Sequence, residues 1–159
     1  MNVKGIVYED FVNYKKPNMF IATSKCSFKC DKEAGSSICQ NSTLAVQRTI
    51  YINDNTIVET YIQNPITEAI VFGGLEPFDT QEELLHLIDK FRKYTNDTII
   101  IYTGYTEKEY YEMNISNILP QYNNIIVKFG RYIPNNNSHY DSILGIYLAS
   151  DNQYAKVIS

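Results

Sequence analysis

The stretch AIVFGGLEPFDTQEELLHLIDKFRKYTNDTIIIYTG, residues 69–104, contains the pattern that decides the fold. Two short apolar runs, Ala69–Phe72 and Thr98–Tyr102, each end in a glycine-containing turn and predict buried strands. Between them, apolar residues recur every three or four positions and predict an amphipathic helix that Asp79 or Thr80 caps; they are Leu84, Leu87, Ile88 and Phe91. A strand–turn–helix–strand unit of this kind predicts parallel strands joined by a right-handed crossover.

The same alternation continues on both sides of this unit. Met19–Ser24 predicts an earlier buried strand and Ile125–Phe129 a later one. Thr106 and Glu109 form a capping-box pattern for a further helix that we expect to end near Leu119. About four such units are too few for a closed eight-stranded barrel, which takes about 250 residues. We therefore predict an α/β fold: a partial, open barrel of mostly parallel strands.

The chain is long enough for one domain and too short for two. Its 159 residues are 44% hydrophobic, so we expect a single domain over residues 1–159. The formal net charge of -4 argues against a nucleic-acid partner, which favours excess lysine and arginine. No apolar run approaches the roughly 20 residues that span a bilayer, and the first residues lack the apolar region of a secretory signal. These features predict a cytoplasmic protein without a membrane partner.

Three cysteines, Cys26, Cys30 and Cys39, lie in one short segment, and the sequence contains no others. An odd number cannot pair fully in disulfides, and such a cluster in a cytoplasmic chain indicates metal binding or redox chemistry. Three thiolates suffice for three irons of a [4Fe–4S] cube and leave the fourth iron open. The alternative is a structural zinc site completed by a distant residue such as His86 or His139. Structural zinc sites usually have two closely spaced cysteine pairs, whereas this chain has one such pair and a single further cysteine, which favours the cluster.

Four stretches of the chain, in order, carry a likeness to a known family. Asp10–Cys30 contains Asp-Phe-Val-Asn, the first buried strand and two cysteines, and the third cysteine begins Cys39–Asn41. Gly73–Phe78 reads GGLEPF, and Ser150–Gln153 reads SDNQ. Together they resemble the radical S-adenosylmethionine (SAM) enzymes, most closely the activating enzymes of anaerobic ribonucleoside-triphosphate reductase. The resemblance implies a radical-SAM type of fold, a [4Fe–4S] cluster held by the three cysteines, and SAM chelated on the free iron.

The likeness departs from the family in three places. Eight residues separate Cys30 from Cys39, where the family has two. Tyr14–Asn18 replaces Gly-Pro-Gly-x-Arg, and Lys128–Gly130 stands where the family tends to have Val-Asp-Gly. A loop lengthened by six residues costs little closure entropy, so we still expect cluster binding. The other two departures lie where a substrate would be met.

Ligands collect at the carboxyl ends of parallel strands, and the predicted strand ends supply candidate SAM contacts. Gly73 and Gly74 allow close backbone approach, and the carbonyls at this strand end are expected to accept from the methionyl ammonium. Glu76 is the candidate second acceptor, and Pro77 is expected to fix the turn. An ordinary strand-to-helix turn is the alternative explanation for the glycines. The remaining candidates are Ile38, which the resemblance places against adenine, Tyr102 and Thr103 beside ribose or methionine, and Lys128 and Arg131 for the carboxylate. Asn152 and Gln153 are expected to hydrogen-bond backbone near the pocket or to fasten the C-terminal segment.

The function that this resemblance implies is reductive cleavage of SAM to a 5′-deoxyadenosyl radical, under anaerobic conditions, to form a glycyl radical on a partner enzyme. The expected partners are an anaerobic ribonucleotide reductase or a related glycyl-radical enzyme, and a flavodoxin- or ferredoxin-type electron donor. One alternative is a radical SAM enzyme that acts on a small molecule, similar to 7-carboxy-7-deazaguanine synthase. Another is a non-catalytic zinc- or cluster-binding module.

Overall fold

A computed structural model describes all residues, 1–159. The strands are β1 Asn2–Asp10, β2 Asn18–Thr23, β3 Ile50–Tyr51, β4 Ala69–Gly73, β5 Thr98–Tyr102, β6 Ile125–Phe129, β7 His139–Asp141, β8 Ile146–Leu148 and β9 Tyr154–Val157. The α-helices are α1 Lys29–Ala34, α2 Ser42–Ala45, α3 Asp54–Gln63, α4 Gln81–Arg92, α5 Glu107–Tyr111 and α6 Ile115–Ile118. Two 3₁₀ turns cover Pro77–Thr80 and Leu119–Gln121.

Seven strands form one sheet in the order β3-β1-β2-β4-β5-β6-β9, and β7 pairs with β8 in a separate hairpin. The four central strands, β2, β4, β5 and β6, run parallel, as the sequence predicts. The flanking strands β1, β3 and β9 are antiparallel to their neighbours. The fold is therefore mixed α/β. A partial barrel stays a prediction, because strand order and pairing do not define curvature.

The two faces of the central strands are covered differently. One face packs against the helices in a large core, which includes Ile70, Phe72, Leu87, Phe91 and Ile101. The other face carries a smaller cluster built around Val71, Ile100 and Leu144, so residues that alternate along a strand enter opposite layers. Burial on both faces explains the near-continuous apolar runs of β4, β5 and β6.

The hairpin of β7 and β8 is fastened to the segment that follows β1. The amide of Lys15 donates to the carbonyl of Leu144 at 2.8 Å. Gly145 has φ +72°, and a Cβ built there would lie 2.5 Å from the Cβ of Lys15. A glycine is therefore needed where the two segments meet. The contact joins the first and last quarters of the chain on the smaller face of the sheet.

Two predicted helix features are wrong. The helix of the capping box ends at Tyr111, and a separate short helix, α6, ends at Ile118, so one helix does not continue to Leu119. The side chain of neither Asp79 nor Thr80 caps α4. Thr80 donates its hydroxyl to the carbonyl of Pro77, and the carboxylate of Asp79 is used by the cysteine segment described below.

No helix in the structure is both long enough and apolar enough to cross a lipid bilayer.

Candidate functional site

A cavity of about 410 Å³ lies at the carboxyl ends of β4, β5 and β6. The three cysteines border it on one side, in a segment that we call the cysteine loop, residues 25–41. A second part of the border, which we call the strand floor, consists of residues 74–76, 102–105, 128, 130 and 131. The rule that ligands bind at the carboxyl ends of parallel strands, which we call the strand-end rule, therefore holds for this cavity. Its lining residues lie up to more than 100 positions apart in sequence.

The first two cysteines flank an unusual backbone conformation. Phe28 has φ 53° and ψ 42° and precedes α1, in which Cys30 lies. A left-handed conformation at a bulky residue is strained and persists only where its surroundings impose it. Here it allows the Phe28 amide to donate to the Sγ of Cys26 at 3.3 Å. The side chain of Phe28 is half-buried and is not among the residues that line the cavity.

Asp31 connects the two ends of the long gap between Cys30 and Cys39. Its Oδ1 accepts from the amides of Ile38 and Cys39, each at 2.9 Å. The same oxygen lies 3.9 Å from the Sγ of Cys30. The gap therefore closes on itself, and Cys39 returns to the same cavity wall as Cys30.

The cysteine loop is attached to the strand floor by backbone and carboxylate contacts. The amide of Glu76 donates to the carbonyl of Lys25 at 2.9 Å. Asp79 accepts from the amide of Ser27 on one oxygen and from the Tyr105 hydroxyl, at 2.7 Å, on the other. Asp79 thus stabilises the loop instead of the N-terminus of α4, which is why the predicted cap is absent.

Cys26 and Cys30 lie in an environment that disfavours free thiolates. Burial raises the pKa of Cys26 to about 11, although the Phe28 amide partly opposes that effect. Burial also raises the pKa of Cys30, with a further contribution from the neighbouring Cys39. Without a metal these thiols are protonated at neutral pH. Metal binding here must release protons, as is general for cysteine sites.

Glu76 is a buried carboxylate at the centre of the strand floor, only 7% exposed. One oxygen accepts from the Thr103 hydroxyl at 2.8 Å and the Phe78 amide at 3.1 Å, and the other accepts from the Gly104 amide at 2.8 Å. Burial raises the pKa of Glu76 to about 7, and the hydrogen bonds oppose that effect only in part. A carboxylate has about four acceptor positions, so one remains for a ligand donor.

Lys128 brings a buried ammonium to the same floor. Its Nζ donates one hydrogen bond, to the carbonyl of Gly130 at 2.9 Å, and lies 6.0 Å from the ring centroid of Tyr102. Burial lowers the pKa of Lys128 to about 8, while the nearby Glu76 opposes that effect. Since an ammonium has three donors, two remain free for a ligand. The cavity therefore carries an incompletely paired cation close to a carboxylate.

Arg131, the second predicted cation, is held by its own neighbours. Its guanidinium forms two hydrogen bonds with Glu109, at 2.6 and 2.9 Å, and an ion pair with Glu33 at 3.2 Å. Glu109 also pairs with Lys29 at 3.1 Å. The pKa of Glu109 is lowered, above all by Arg131. Arg131 thus connects the end of β6 to α5 and α1, in a cluster beside the ring of Tyr105.

The other predicted contacts divide into two groups. Those that line the cavity are Ile38, Gly74, Tyr102 and Thr103. Tyr102 donates its hydroxyl to the carbonyl of Asn13 at 2.6 Å, which fixes its ring against the segment after β1. Gly73 and Pro77 do not line the cavity. Gly73 pairs with Ala22 in the sheet, and Pro77 begins the buried 3₁₀ turn before α4.

Gly74 is needed for a conformational reason. It has φ +77°, and a Cβ built there would lie 2.8 Å from the Leu44 side chain and 3.1 Å from that of Ala22. A larger residue would be strained and would push Leu44 away. The double glycine therefore brings the backbone close to the segment after Cys39.

The predicted role of the C-terminal amides is confirmed. Asn152 donates to the carbonyl of Arg131 at 2.8 Å, and Gln153 donates to that of Gly130 at 3.2 Å. Gln153 also lines the cavity. These bonds fix the segment after β6. That segment includes the carbonyl of Gly130, which accepts the hydrogen bond from Lys128.

The cavity includes residues that the sequence reasoning missed. The wall far from the cysteines contains Val12, Tyr132, Tyr147, Leu148 and Ala149. Val12 and Tyr147 are 72% and 73% exposed, so they stand at the opening. Val12 and Tyr147–Ala149 belong to the segments that meet at Lys15 and Gly145, whereas Tyr132 follows β6. The only sequence signal that could have located this wall was the alternating pattern of β8.

Three thiols are a donor set of the kind that a [4Fe–4S] cluster uses. No three His, Cys, Asp or Glu side chains converge on a point where one metal ion would bind. A zinc ion needs all four ligands at about 2.0–2.3 Å from one centre. A [4Fe–4S] cube takes one thiolate for each of three irons, and the three cysteines that line the cavity supply that number.

Neither histidine completes a metal site with the cysteines. His139 contacts the carbonyl of Gln153 at 2.7 Å, and His86 pairs with Asp54 at 2.9 Å. Both lie outside the residues that line the cavity.

The fold and the cysteine wall together define an α/β protein suited to an iron–sulfur cofactor. A family model described as a 4Fe-4S single cluster domain matches residues 17–153, a stretch that contains the cysteine loop and the strand floor. The chain belongs to this family, and the match indicates an iron–sulfur protein of the radical-SAM type. No curated protein and no solved structure matches the chain.

Proposed function

We propose that this protein reductively cleaves SAM and so forms a 5′-deoxyadenosyl radical that acts on a partner enzyme. The observation that carries the proposal is the cavity itself, where three cysteines face Glu76 and Lys128 across one space. The cysteines supply a cluster with one open iron, and the two charged residues match the ammonium and carboxylate of a methionyl group. The match to a family of [4Fe–4S] domains supports the cluster half of this assignment.

Cys26, Cys30 and Cys39 would hold the cluster as thiolates. When bound and reduced, the cluster supplies the single electron that splits SAM into methionine and a 5′-deoxyadenosyl radical. The protein itself binds and orients the reactants and excludes water from them. The cysteines are half-buried and line the cavity together with Ile38 and Tyr102, and apolar side chains around a cluster limit its contact with water.

Lys128 and Glu76 would orient the methionyl group. Lys128 has two free donors for the carboxylate, and Glu76 has one acceptor position left for the ammonium. Charge-assisted hydrogen bonds of this kind are the stronger ones in proteins. Gly74 also lines the cavity, and its lack of a side chain lets Leu44 and Ala22 pack directly against its backbone. Tyr102 and Thr103 border the same space and remain the proposed neighbours of ribose or methionine.

Arg131 has a weaker case as a carboxylate ligand than Lys128. Glu109 already occupies its guanidinium in a bidentate pair. We therefore assign the SAM carboxylate to Lys128. A direct contact from Arg131 stays a prediction, and it would require Glu109 to be displaced.

We propose a glycine residue of a protein as the target, as in the activation of anaerobic ribonucleotide reductase or a related enzyme. The cavity opens to solvent beside the exposed side chains of Val12 and Tyr147. An opening with exposed apolar and aromatic side chains suits a polypeptide loop that reaches the radical from outside. A flavodoxin- or ferredoxin-type protein would supply the electron.

Anaerobic reconstitution tests the first part of the proposal. The protein, supplied with iron and sulfide, should bind about four irons and as many labile sulfides. After addition of dithionite and SAM it should release methionine and 5′-deoxyadenosine in equal amounts. Purified protein with one tightly bound zinc and no sulfide would overturn the proposal in favour of a zinc module.

A second experiment tests the target. The reconstituted protein is mixed with an anaerobic ribonucleotide reductase, SAM and reductant. The expected result is a glycyl radical signal in electron paramagnetic resonance that disappears when the target glycine is replaced by alanine. If SAM is cleaved but none of several glycyl-radical enzymes tested gives such a signal, the protein partner is overturned and a small-molecule substrate is favoured.

A further inference from the structure

The gap of eight residues between Cys30 and Cys39 raises the question of how the third cysteine is placed. A flexible loop of this length would hold Cys39 loosely, because many conformations satisfy its ends. We propose that Asp31 is the positioning residue that returns Cys39 to the cluster. The inference rests on the proposed function, since it concerns the third ligand of the same cluster.

The geometry of Asp31 suits this role. A single carboxylate oxygen accepts from two successive amides, those of Ile38 and Cys39, both at 2.9 Å. The acceptor follows Cys30 directly in sequence, so one residue connects the second ligand to the third. Because two successive amides point at one oxygen, the bonds fix the orientation of the backbone at Ile38 and Cys39. They also fix its distance from Asp31.

Nothing else holds this backbone in the same way. No other side chain accepts a hydrogen bond from the backbone of residues 32–39. The helix α1 has no buried residue, and Glu33–Ser37 are exposed. The loop therefore lacks apolar packing that could replace the contact with Asp31. Glu33 contacts Arg131 through its side chain and leaves the backbone of the loop free.

The charge of Asp31 has a separate effect. Its oxygen lies 3.9 Å from the Sγ of Cys30, so a negative charge stands beside one ligand of the proposed cluster. Negative charge near a cluster disfavours its reduction and lowers its potential. Loop closure and charge are distinct consequences of one side chain, and suitable variants separate them.

Four variants form the experiment. Asp31→Ala removes the acceptor and the charge, whereas Asp31→Asn keeps an oxygen acceptor and removes only the charge. Asp31→Glu keeps the charge but shifts the acceptor by one methylene group. Glu33→Gln is the matched control, because it removes a carboxylate two positions away that is 61% exposed and contacts no loop amide.

The first measurement is hydrogen exchange of the Ile38 and Cys39 amides in the metal-free protein. Asp31→Ala should accelerate it by on the order of tenfold or more, as expected for bonds to a charged acceptor, while Glu33→Gln leaves it unchanged. The second is iron and sulfide content after reconstitution. It should fall in Asp31→Ala and Asp31→Glu and stay near wild type in Asp31→Asn, whose cluster potential should rise.

The outcomes separate this inference from the proposed function. Unchanged amide exchange and unchanged iron content in Asp31→Ala would overturn the role of Asp31. Equal losses in Asp31→Ala and Asp31→Asn would also overturn it as an acceptor and favour a charge effect alone. If the wild type binds no cluster, the proposed function fails, while the exchange measurement on metal-free protein still decides whether Asp31 orders the loop.

Discussion

The cysteine loop and the strand floor face each other across one cavity and are built in opposite ways. Glu76, Thr103 and Lys128 are buried and lie at the ends of strands that pack on both faces. The cysteine loop has no buried residue between Cys26 and Asn41, and side-chain carboxylates fasten it. The difference teaches that one half of the site is fixed by the core of the protein, while the other half depends on a few polar contacts and on its cofactor.

The largest expected effect is confined to the loop. Cys39→Ala should abolish SAM cleavage and prevent formation of a stable cluster, because the cube loses one of its three protein ligands. The free energy of unfolding of the metal-free protein should change by less than about 0.5 kcal/mol, since the loop contributes little to the core. Iron content and chemical denaturation measure the two quantities. Unaltered cluster content would remove Cys39 from the ligand set.

A second prediction concerns the stability of the floor. The pKa of Glu76 is raised to about 7 from an ordinary value of 4.5, so the folded protein keeps this proton at a pH where the unfolded chain has lost it. Stability is therefore highest below the ordinary value and falls as the pH rises towards 7. The expected contribution is about 3 kcal/mol. Denaturant unfolding of metal-free wild type and Glu76→Gln across pH 4–8 measures it, and parallel curves would contradict the prediction.

Lys128→Met should weaken SAM binding by roughly 10- to 100-fold, as expected for loss of hydrogen bonds from a charged group. Cluster content should be unaffected, which separates the floor from the loop. Because the pKa of Lys128 is lowered to about 8, wild-type affinity should also fall as the pH rises above 8. Lys156→Met is the control, since that lysine pairs with Glu107 outside the cavity. Equal affinity of wild type and Lys128→Met would assign the carboxylate elsewhere.

The smallest effect tests the link between the two halves. Glu109→Gln removes the charge that pairs with Arg131 and Lys29 and should lower the free energy of unfolding by about 1 kcal/mol. The effect should shrink in high salt, because ion pairs are screened. Thr106→Ala breaks the same capping box without touching either ion pair, so its effect should not depend on salt. If the stability lost in Glu109→Gln did not depend on salt, the ion pairs would not explain it, and only the capping box would remain as its cause.

The sequence predicts the floor better than the loop, for a physical reason. Strands β4, β5 and β6 occur where the apolar runs place them, because burial on both faces leaves a strong signal in composition. The strand-end rule then assembles Glu76, Thr103 and Lys128 without further information. Spacing of the cysteines indicates metal chemistry, and the family match supports a [4Fe–4S] cluster.

The remaining features depend on contacts that no local pattern encodes. Asp79 resembles a helix cap in sequence, and only the fold shows that Ser27 and Tyr105 occupy its carboxylate. Arg131 was predicted as a contact for the SAM carboxylate, but Glu109 of helix α5 pairs with its guanidinium through two hydrogen bonds. The far wall of the cavity belongs to the hairpin of β7 and β8, whose short strands carry a weak pattern. Such pairings between distant segments become visible only after the chain has folded.

The contact of Gly145 with Lys15 has a consequence for synthesis on the ribosome. The cysteines are translated more than 100 residues before the hairpin that completes the far wall of their cavity. Until the hairpin is made, the far wall of the cavity and the partner of Lys15 are both absent, so the cavity takes its final shape late in synthesis.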